Sequence, residues 1–432
     1  MREDLIEIEI GAFAKIQNGY AFKSKEYVDK GLRIIRIANV QSGEIIDRDP
    51  KFYPESRLSE FNDYVIEEDD FLISLTGNVG RVGRIDKSLL PALLNQRVGK
   101  LNLQTSNIGK SYLYHFLNSR TFVHQVIKGS KGVAQLNTSS KKIEAIKIPI
   151  APLPEQRAIV SKIEELFSDL DKGIADLNLA QDQLKVYRQA VLKKAFEGEL
   201  TKEWREQNRF TKNDWKFPPL GKVLIQSKEK HKPENVENLF YVGLEHIGKE
   251  TGNLTETVGV SEIKTVKNKF KTGQILYGKL RPYLNKVYLA KESGVCSTDI
   301  LVFDLEDSII GKFAVQFMLS RQFVNDMSAN TNGVNLPRVS TKYVNNYKFP
   351  LPPVKEQHQI VQEIESRLSV CDKVEESITE SLEKAKALRQ SILKKAFEGR
   401  LLSNEEIEKC KSAPDYEPAA VLLEKIKAEK KK

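Results

Sequence analysis

The chain has 432 residues, 40% apolar and 29% charged, which leaves room for two to four domains and describes a globular protein with a generous charged surface. Its net charge of +9 favours an anionic partner, nucleic acid before membrane. No stretch approaches the roughly 18 apolar residues of a membrane span, the opening MREDLIEIEI lacks the apolar core of a signal peptide, and Cys296, Cys371 and Cys410 form no CxxC pair. A disulfide framework or zinc cluster is excluded, and a reducing cytoplasm is the expected location.

Residues 1 to about 150 read as mixed α/β. β-rich runs at Leu32–Val40, Asp70–Leu75 and Ile146–Ile150 are separated by polar and glycine turns. Gly77–Gly83 reads as a flexible loop within a sheet. Ser111–Lys128 carries apolar residues at helical spacing and predicts one helical stretch. Prolines at 149, 152 and 154 then stop the last strand and open a long helix. Its apolar stripe runs Val160, Ile163, Phe167, Leu170, Ile174, Leu177, Leu184 and Val191, interrupted only by Gln181 and Arg188.

The chain then repeats itself. Glu155-Gln156 returns as Glu356-Gln357 and LKKAFEG at 192–198 returns at 393–399, both at an offset of 201 residues (356 − 155). Between Pro149 and Leu200, 22 of 52 positions are identical to their counterparts. The preceding segments follow the same order: a strand at Phe240–Ile247, strands at Gln274–Tyr277 and Lys286–Leu289, and a helix at Lys312–Met327. Gly333-Val334 matches Gly132-Val133 at the same offset. Two related globular units have diverged while the helices after them stayed alike, so the domains carry a variable choice and the helices a fixed geometry.

A helix of about 42 residues is roughly 60 Å long and must bury its apolar stripe against a partner. The two helices are expected to run antiparallel as a coiled coil, with pseudo-twofold symmetry. The fold class is therefore α+β. Its segments are a first domain at 1–153, a helix at 154–203, a second domain at 204–352, a helix at 353–402 and a charged helical tail with a frayed end at 403–432.

Catalytic signals fail on inspection. Ile108-Gly109-Lys110-Ser111 ends like a phosphate loop, but the required earlier glycine is Gln104. Pro414-Asp415 could begin a nuclease motif, yet the nearby Glu429-Lys430-Lys431 reads as solvated tail. Neither Phe217-Pro218-Pro219-Leu220 nor Leu351-Pro352-Pro353-Val354 has the polar and aromatic flanks of an amino-methyltransferase loop. The five histidines, His115, His124, His231, His246 and His358, make no i, i+4 pair for a metal.

The layout resembles the DNA specificity subunits of Type I restriction–modification systems. The likeness rests on Gly19-Tyr20-Ala21-Phe22-Lys23-Ser24, Gly31, Ile34–Val40, the Pro-Leu-Pro-Glu155-Gln156 junction, both LKKAFEG terminators and Tyr416-Glu417-Pro418. The second half lacks a GxAFKS opening. The resemblance implies a non-catalytic subunit that binds a bipartite sequence in double-stranded DNA, one half-site per globular domain. It further implies that the helices set the spacer and seat two methyltransferase subunits, with two restriction subunits able to join. S-adenosylmethionine, ATP and Mg would lie on those partners and no cofactor on this chain.

Amide and guanidinium groups read base edges, while lysines and hydroxyls hold phosphates. The residues expected to contact DNA are Lys23, Ser24, Arg81, Asn95, Gln96, Arg97, Asn137, Ser139 and Lys141 in the first half. In the second they are Tyr277, Lys279, Arg281, Tyr283, Asn335, Arg338 and Lys342. Two other classes fit the same composition: a stand-alone DNA-binding regulator, and a coiled-coil scaffold without DNA affinity, which would show no salt-dependent binding. Arg338→Ala is expected to weaken specific binding by roughly 1–3 kcal/mol and to relax only the second half-site; binding assays against half-site variants check it.

Overall fold

The computed structural model of the chain describes residues 5–132, 135–232, 240–255 and 265–430. Val133 of the Gly-Val match, Leu239 beside the second-half strand, and Lys431 of the tail lie outside the described residues. The chain forms two compact units, Met1–Asp176 with Ser381–Lys432, and Leu177–Glu380. The first long helix spans Leu153–Phe196 and the second Val354–Phe397, so each unit holds the start of one and the end of the other. Among the described residues no helix is long and apolar enough to cross a membrane.

In the first unit, strands Ala14–Asn18, Val98–Leu103, Phe71–Ser74 and Val82–Arg84 form one antiparallel sheet in that order. A second sheet orders Phe52–Tyr53, Leu32–Ile35, Ala92–Leu94 and Val65–Ile66, with Leu32–Ile35 parallel to Ala92–Leu94. Ile16, Phe71, Ile73 and Leu101 of the first sheet bury against Phe116 and Phe122 of the helices. The second unit repeats the first sheet with Leu224–Gln226, Ile300–Leu305, Ile275–Gly278 and Val287–Leu289. Its other sheet keeps the parallel pair, Phe240–Val242 with Gly294–Cys296. Among the described residues the edges differ: Phe52–Tyr53 flanks the parallel pair on one side in the first unit, whereas Lys230–His231 extends the opposite edge in the second.

The repeated residues fasten each domain to both long helices. In the first unit Ile159 and Ile163, near the start of the first helix, share a core with Ile392, Leu393 and Phe397, near the end of the second. In the second unit Val191, Leu192 and Ala195 share a core with Ile360, Val361 and Ile364. Start meets end each time, so within each unit the helices run antiparallel. Each fully buried Ile, Leu or Phe contributes about 1.5–3 kcal/mol, which outweighs the surface ion pairs beside them. Arg188, which interrupts the apolar stripe, reaches Asp372 (2.5 Å) and Glu375 (3.0 Å) on the second helix. Its counterpart Arg389 pairs with Asp171 and lies 4.3 Å from the Phe167 ring.

Buried glutamines complete the seat. Gln156 accepts from the Gly109 amide (2.8 Å) and donates to the Asn107 and Ala151 carbonyls (3.3 and 2.8 Å). Gln357 does the same with Ile310, Ser308 and Pro352 (2.9, 2.8 and 2.9 Å), every partner shifted by 201 residues (310 − 109). From the far ends of the helices, Gln390 accepts from the Arg120 amide (2.9 Å) and Gln189 from the Arg321 amide (2.8 Å). Phe397 packs edge-on against Tyr112 and Phe116, and Phe196 against Phe313 and Phe317.

Several expectations are corrected. The stretch at 111–128 is two helices, Lys110–Leu117 and Arg120–Gly129, because Ser119 accepts the Phe122 amide and restarts the helix as an N-cap. Ser320 divides Gly311–Met318 from Arg321–Ala329 in the same way. The runs at 32–40 and 240–247 are short strands that end in single 3-10 turns, closed by Asn39 on the Arg36 amide and by His246 on the Gly243 amide. The loop at 77–83 is pinned: Ser74 donates to the Asn78 carbonyl (2.6 Å) and accepts from the Arg81 amide (3.0 Å), while Val79 and Val82 enter the core.

The tail is helical as expected, but Glu429 is not the solvated residue it was read as. Helices Asn404–Lys411 and Ala419–Glu429 pack on the first unit, with Leu422 and Ile426 in its core. Glu429 accepts from Thr105 (2.5 Å) and Asn107 (3.1 Å), and Asp415 pairs with Arg157 (2.8 Å). In the second unit the equivalent place at the start of a long helix is covered by Lys202–Gln207. There Glu356, fully buried, accepts from Arg205 (2.5 Å), Thr201 (2.8 Å) and the Trp215 indole (2.9 Å).

Two stability predictions follow from buried charge. Arg205→Ala strands the Glu356 carboxylate and is expected to cost the second unit about 3–5 kcal/mol in chemical denaturation. Burial, with Arg389 and Arg84 nearby, pushes His115 down from 6.5 to about 4, so it stays neutral in the fold. The depressed value means its stabilisation is complete above pH 6.5 and drains away as pH falls towards 4, by up to about 3 kcal/mol. Denaturation of His115→Gln at pH 7.5 and pH 5 is expected to show a shallower loss than the wild type.

Candidate nucleic-acid interface

Each unit ties three loops together with the same backbone knot. In the first, the Leu75 amide donates to the Arg97 carbonyl (3.0 Å), the Gly77 amide to Leu136 (2.7 Å) and the Thr138 amide to Leu75 (2.9 Å). In the second, the Lys279 amide donates to Asp299 (3.0 Å), the Arg281 amide to Pro337 (2.7 Å) and the Val339 amide to Lys279 (3.0 Å). Thr76 bridges Asn137 in one knot as Leu280 bridges Arg338 in the other. These bonds use main-chain atoms only. The positions stay fixed whichever side chains they carry.

The first knot gathers most of the residues expected there. Asn95, Gln96 and Arg97 form its middle loop, and Gln96 donates its amide to the Tyr20 carbonyl (2.8 Å), which joins the GxAFKS turn to it. Lys23 and Ser24 are exposed on that turn, above a cluster of Tyr20, Phe22, Phe61 and Tyr64 rings. Asn137 and Ser139 are exposed on the third loop, and Lys141 on the helix that follows. Ser140 donates to Asn18 (2.6 Å) and ties that loop to the sheet. Arg81 is paired through its backbone with Ser74, next to the knot's Leu75 (2.9 Å), and its guanidinium donates to Gln41 (2.8 Å).

The second knot gathers Lys279, Arg281, Asn335 and Arg338, and Lys342 lies on the adjoining helix Thr341–Asn346. Tyr283 is half exposed on the turn after Arg281, whose backbone is left-handed at φ 51°. Tyr277 is corrected: it is 1% exposed, within a core strand and edge-on to Phe323, so its ring reaches no ligand surface. Its apparent place in a polar cluster came from the residues after it; its strand, Ile275–Gly278, is buried on both faces. Sequence reasoning missed Asp299. It accepts from Arg338 through Nε (3.0 Å) and Nη2 (3.1 Å), and Lys279 lies 3.8 Å away. The Arg338 hydrogen bond, above all, holds the Asp299 carboxyl below the usual range. An acidic residue carries no signal for nucleic acid in a linear sequence; only its pairing does. Among the described residues no group of three His, Cys, Asp or Glu could hold a metal.

A family model described as the Type I restriction modification DNA specificity domain matches residues 3–177 and again 212–384. The EcoDI Type I restriction enzyme specificity subunit of Escherichia coli is 30% identical over 346 residues, covering 75% of this chain and 77% of that one. The EcoBI specificity subunit of Escherichia coli is 26% identical over 472 residues, covering 100% and 93%. In fold, the chain is similar to one from a structure of type I R-M complex assembly and conformational transition (TM-score 0.69, 18% identity, covering 92% and 98%). It is also similar to the HsdS subunit from Thermoanaerobacter tengcongensis (TM-score 0.52, 17% identity, covering 93% and 98%).

The glycine of the GxAFKS turn has a steric reason. A Cβ on Gly19 would lie 2.3 Å from the Leu94 carbonyl oxygen and 2.4 Å from that of Asn95. Gly19→Ala is expected to push the 95–97 loop outward and cost about 1–3 kcal/mol. Gly173→Ala, with nothing within 4 Å on its helix, is expected to be neutral or stabilising in the same thermal denaturation.

Proposed function

The chain belongs to the Type I restriction–modification DNA specificity family, a non-catalytic bipartite target-recognition subunit, and from that premise we propose how its parts divide the work. Each backbone knot presents the side chains that read one half-site. The long helices, which pass from one unit into the other, set the number of base pairs between the halves. Methyltransferase subunits, two per chain, bring S-adenosylmethionine and the bond-making residues, and restriction subunits bring ATP and Mg. The complex works in the cytoplasm.

The duplicated knot carries this reading. Two equivalent loop sets, built from main-chain bonds but carrying different side chains, are what two different half-sites require. The net charge of +9 supplies phosphate attraction, which is expected to fall steeply with salt. Exposed apolar side chains on the helices, Leu179, Val186 and Val370 among them, support a protein partner there.

Mapping methylated adenines in the native genome, with the chain present and deleted, tests the reading. Removing Gly173–Leu179 and Val374–Glu380 together shortens each helix by about 10 Å, or about 3 base pairs of DNA. The original sites are expected to lose methylation, or to give way to sites with a shorter gap. Methylation that keeps its original gap would refute the spacer role. Co-purification from the native cell is expected to yield methyltransferase subunits, and tight site-specific binding without them would favour a stand-alone regulator.

A further inference from the structure

We propose that Arg338 reads a guanine in the second half-site and that Asp299 is the positioning residue that aims it. The proposal rests on the reading that the second unit recognises DNA, and it deepens that reading to named groups. The knots place Asp299 where the first unit has Arg97, and Arg338 where it has Asn137. Both positions lie on the loop surface, with the Arg338 side chain 42% exposed and Asp299 24% exposed.

The donor count assigns the target. Arginine has five N–H donors in a fixed fork. Asp299 takes one from Nε (3.0 Å) and one from Nη2 (3.1 Å), and the Leu336 carbonyl takes one from Nη1 (3.4 Å). One N–H remains on each terminal nitrogen: that on Nη2 points away from Asp299, and the long 3.4 Å bond to Leu336 lets Nη1 turn its own beside it towards two neighbouring acceptors. In the major groove only guanine offers two, O6 and N7; adenine sets a donor beside its acceptor.

Phosphate is the other partner of a forked arginine. Here Asp299 offsets the Arg338 charge, while Lys279, 3.8 Å from the same carboxylate, is the cation left to meet a phosphate. Arg338 keeps its directional donors for a base edge. Both partners are held from the backbone, Arg338 by its bridge to Leu280 and Asp299 by the bond from the Lys279 amide, so the fork is aimed before DNA arrives. A plain surface ion pair would contribute at most about 1 kcal/mol to stability and nothing to base choice.

The test uses the full chain assembled with its methyltransferase subunits, bound to DNA duplexes randomised across both half-sites, with the bound pool sequenced. The wild type is expected to select a guanine at one second-half position. Arg338→Ala and Arg338→Leu are expected to lose that preference by about tenfold or more while the first half-site stays unchanged. Asp299→Asn is expected to retain binding but weaken the same preference, and to add nothing in the Arg338→Ala background. A preference unchanged in Arg338→Ala, an even loss across all positions, or an Asp299→Asn effect that persists without Arg338 overturns the proposal. A wild-type pool with a bipartite consensus but no second-half guanine also overturns it and leaves the functional reading standing. A pool with no bipartite consensus overturns both.

Discussion

Four buried or half-buried glutamine contacts hold the protein's geometry, and the rest of the structure depends on them. A glutamine amide carries donor and acceptor on one group, so it can bond two separate stretches of main chain at once. Gln156 and Gln357 do this at the starts of the long helices, while Gln390 and Gln189 at their ends each hold one stretch, at Arg120 and at Arg321. Each globular domain is thereby fastened to both helices. Sliding either helix along a domain would strand buried polar groups at about 1–3 kcal/mol each, on top of the lost aromatic packing of Phe196 and Phe397.

That constraint explains why some repeated residues stayed identical while the domains drifted. Asp171, Arg188, Gln189 and Phe196 make the same contacts as Asp372, Arg389, Gln390 and Phe397. A change at any of them disturbs a seat shared by three chain segments. The loops above the seat answer to a different rule. Their knots are made of amides and carbonyls, so Arg97 and Asp299, or Asn137 and Arg338, can occupy equivalent places without disturbing the backbone. Firm seats and permissive loops let a recognition surface change while its platform does not.

The two domains are related without being copies. The edge strand Phe52–Tyr53 stands beside the GxAFKS turn in the first, with Tyr53 inside the aromatic cluster that supports that turn. The second domain lacks the motif, and Lys230–His231 extends the other edge of its sheet.

Much was legible in the chain of residues alone. Period-three-and-four apolar spacing and an offset repeat encode long paired helices, since both signals are local and survive without knowledge of neighbours. Strand positions followed from the same short-range patterns, and most of the polar clusters lie on the knots. What the sequence could not reveal lies in side chains that meet across long separations. The tail helices folded onto the first unit, the inward turn of Tyr277 and the pairing of Asp299 with Arg338 depend on which segments the fold brings together. Local pattern determined the elements because hydrophobic periodicity acts within a few residues; only tertiary structure decided which polar groups face one another, because those contacts span tens to hundreds of residues.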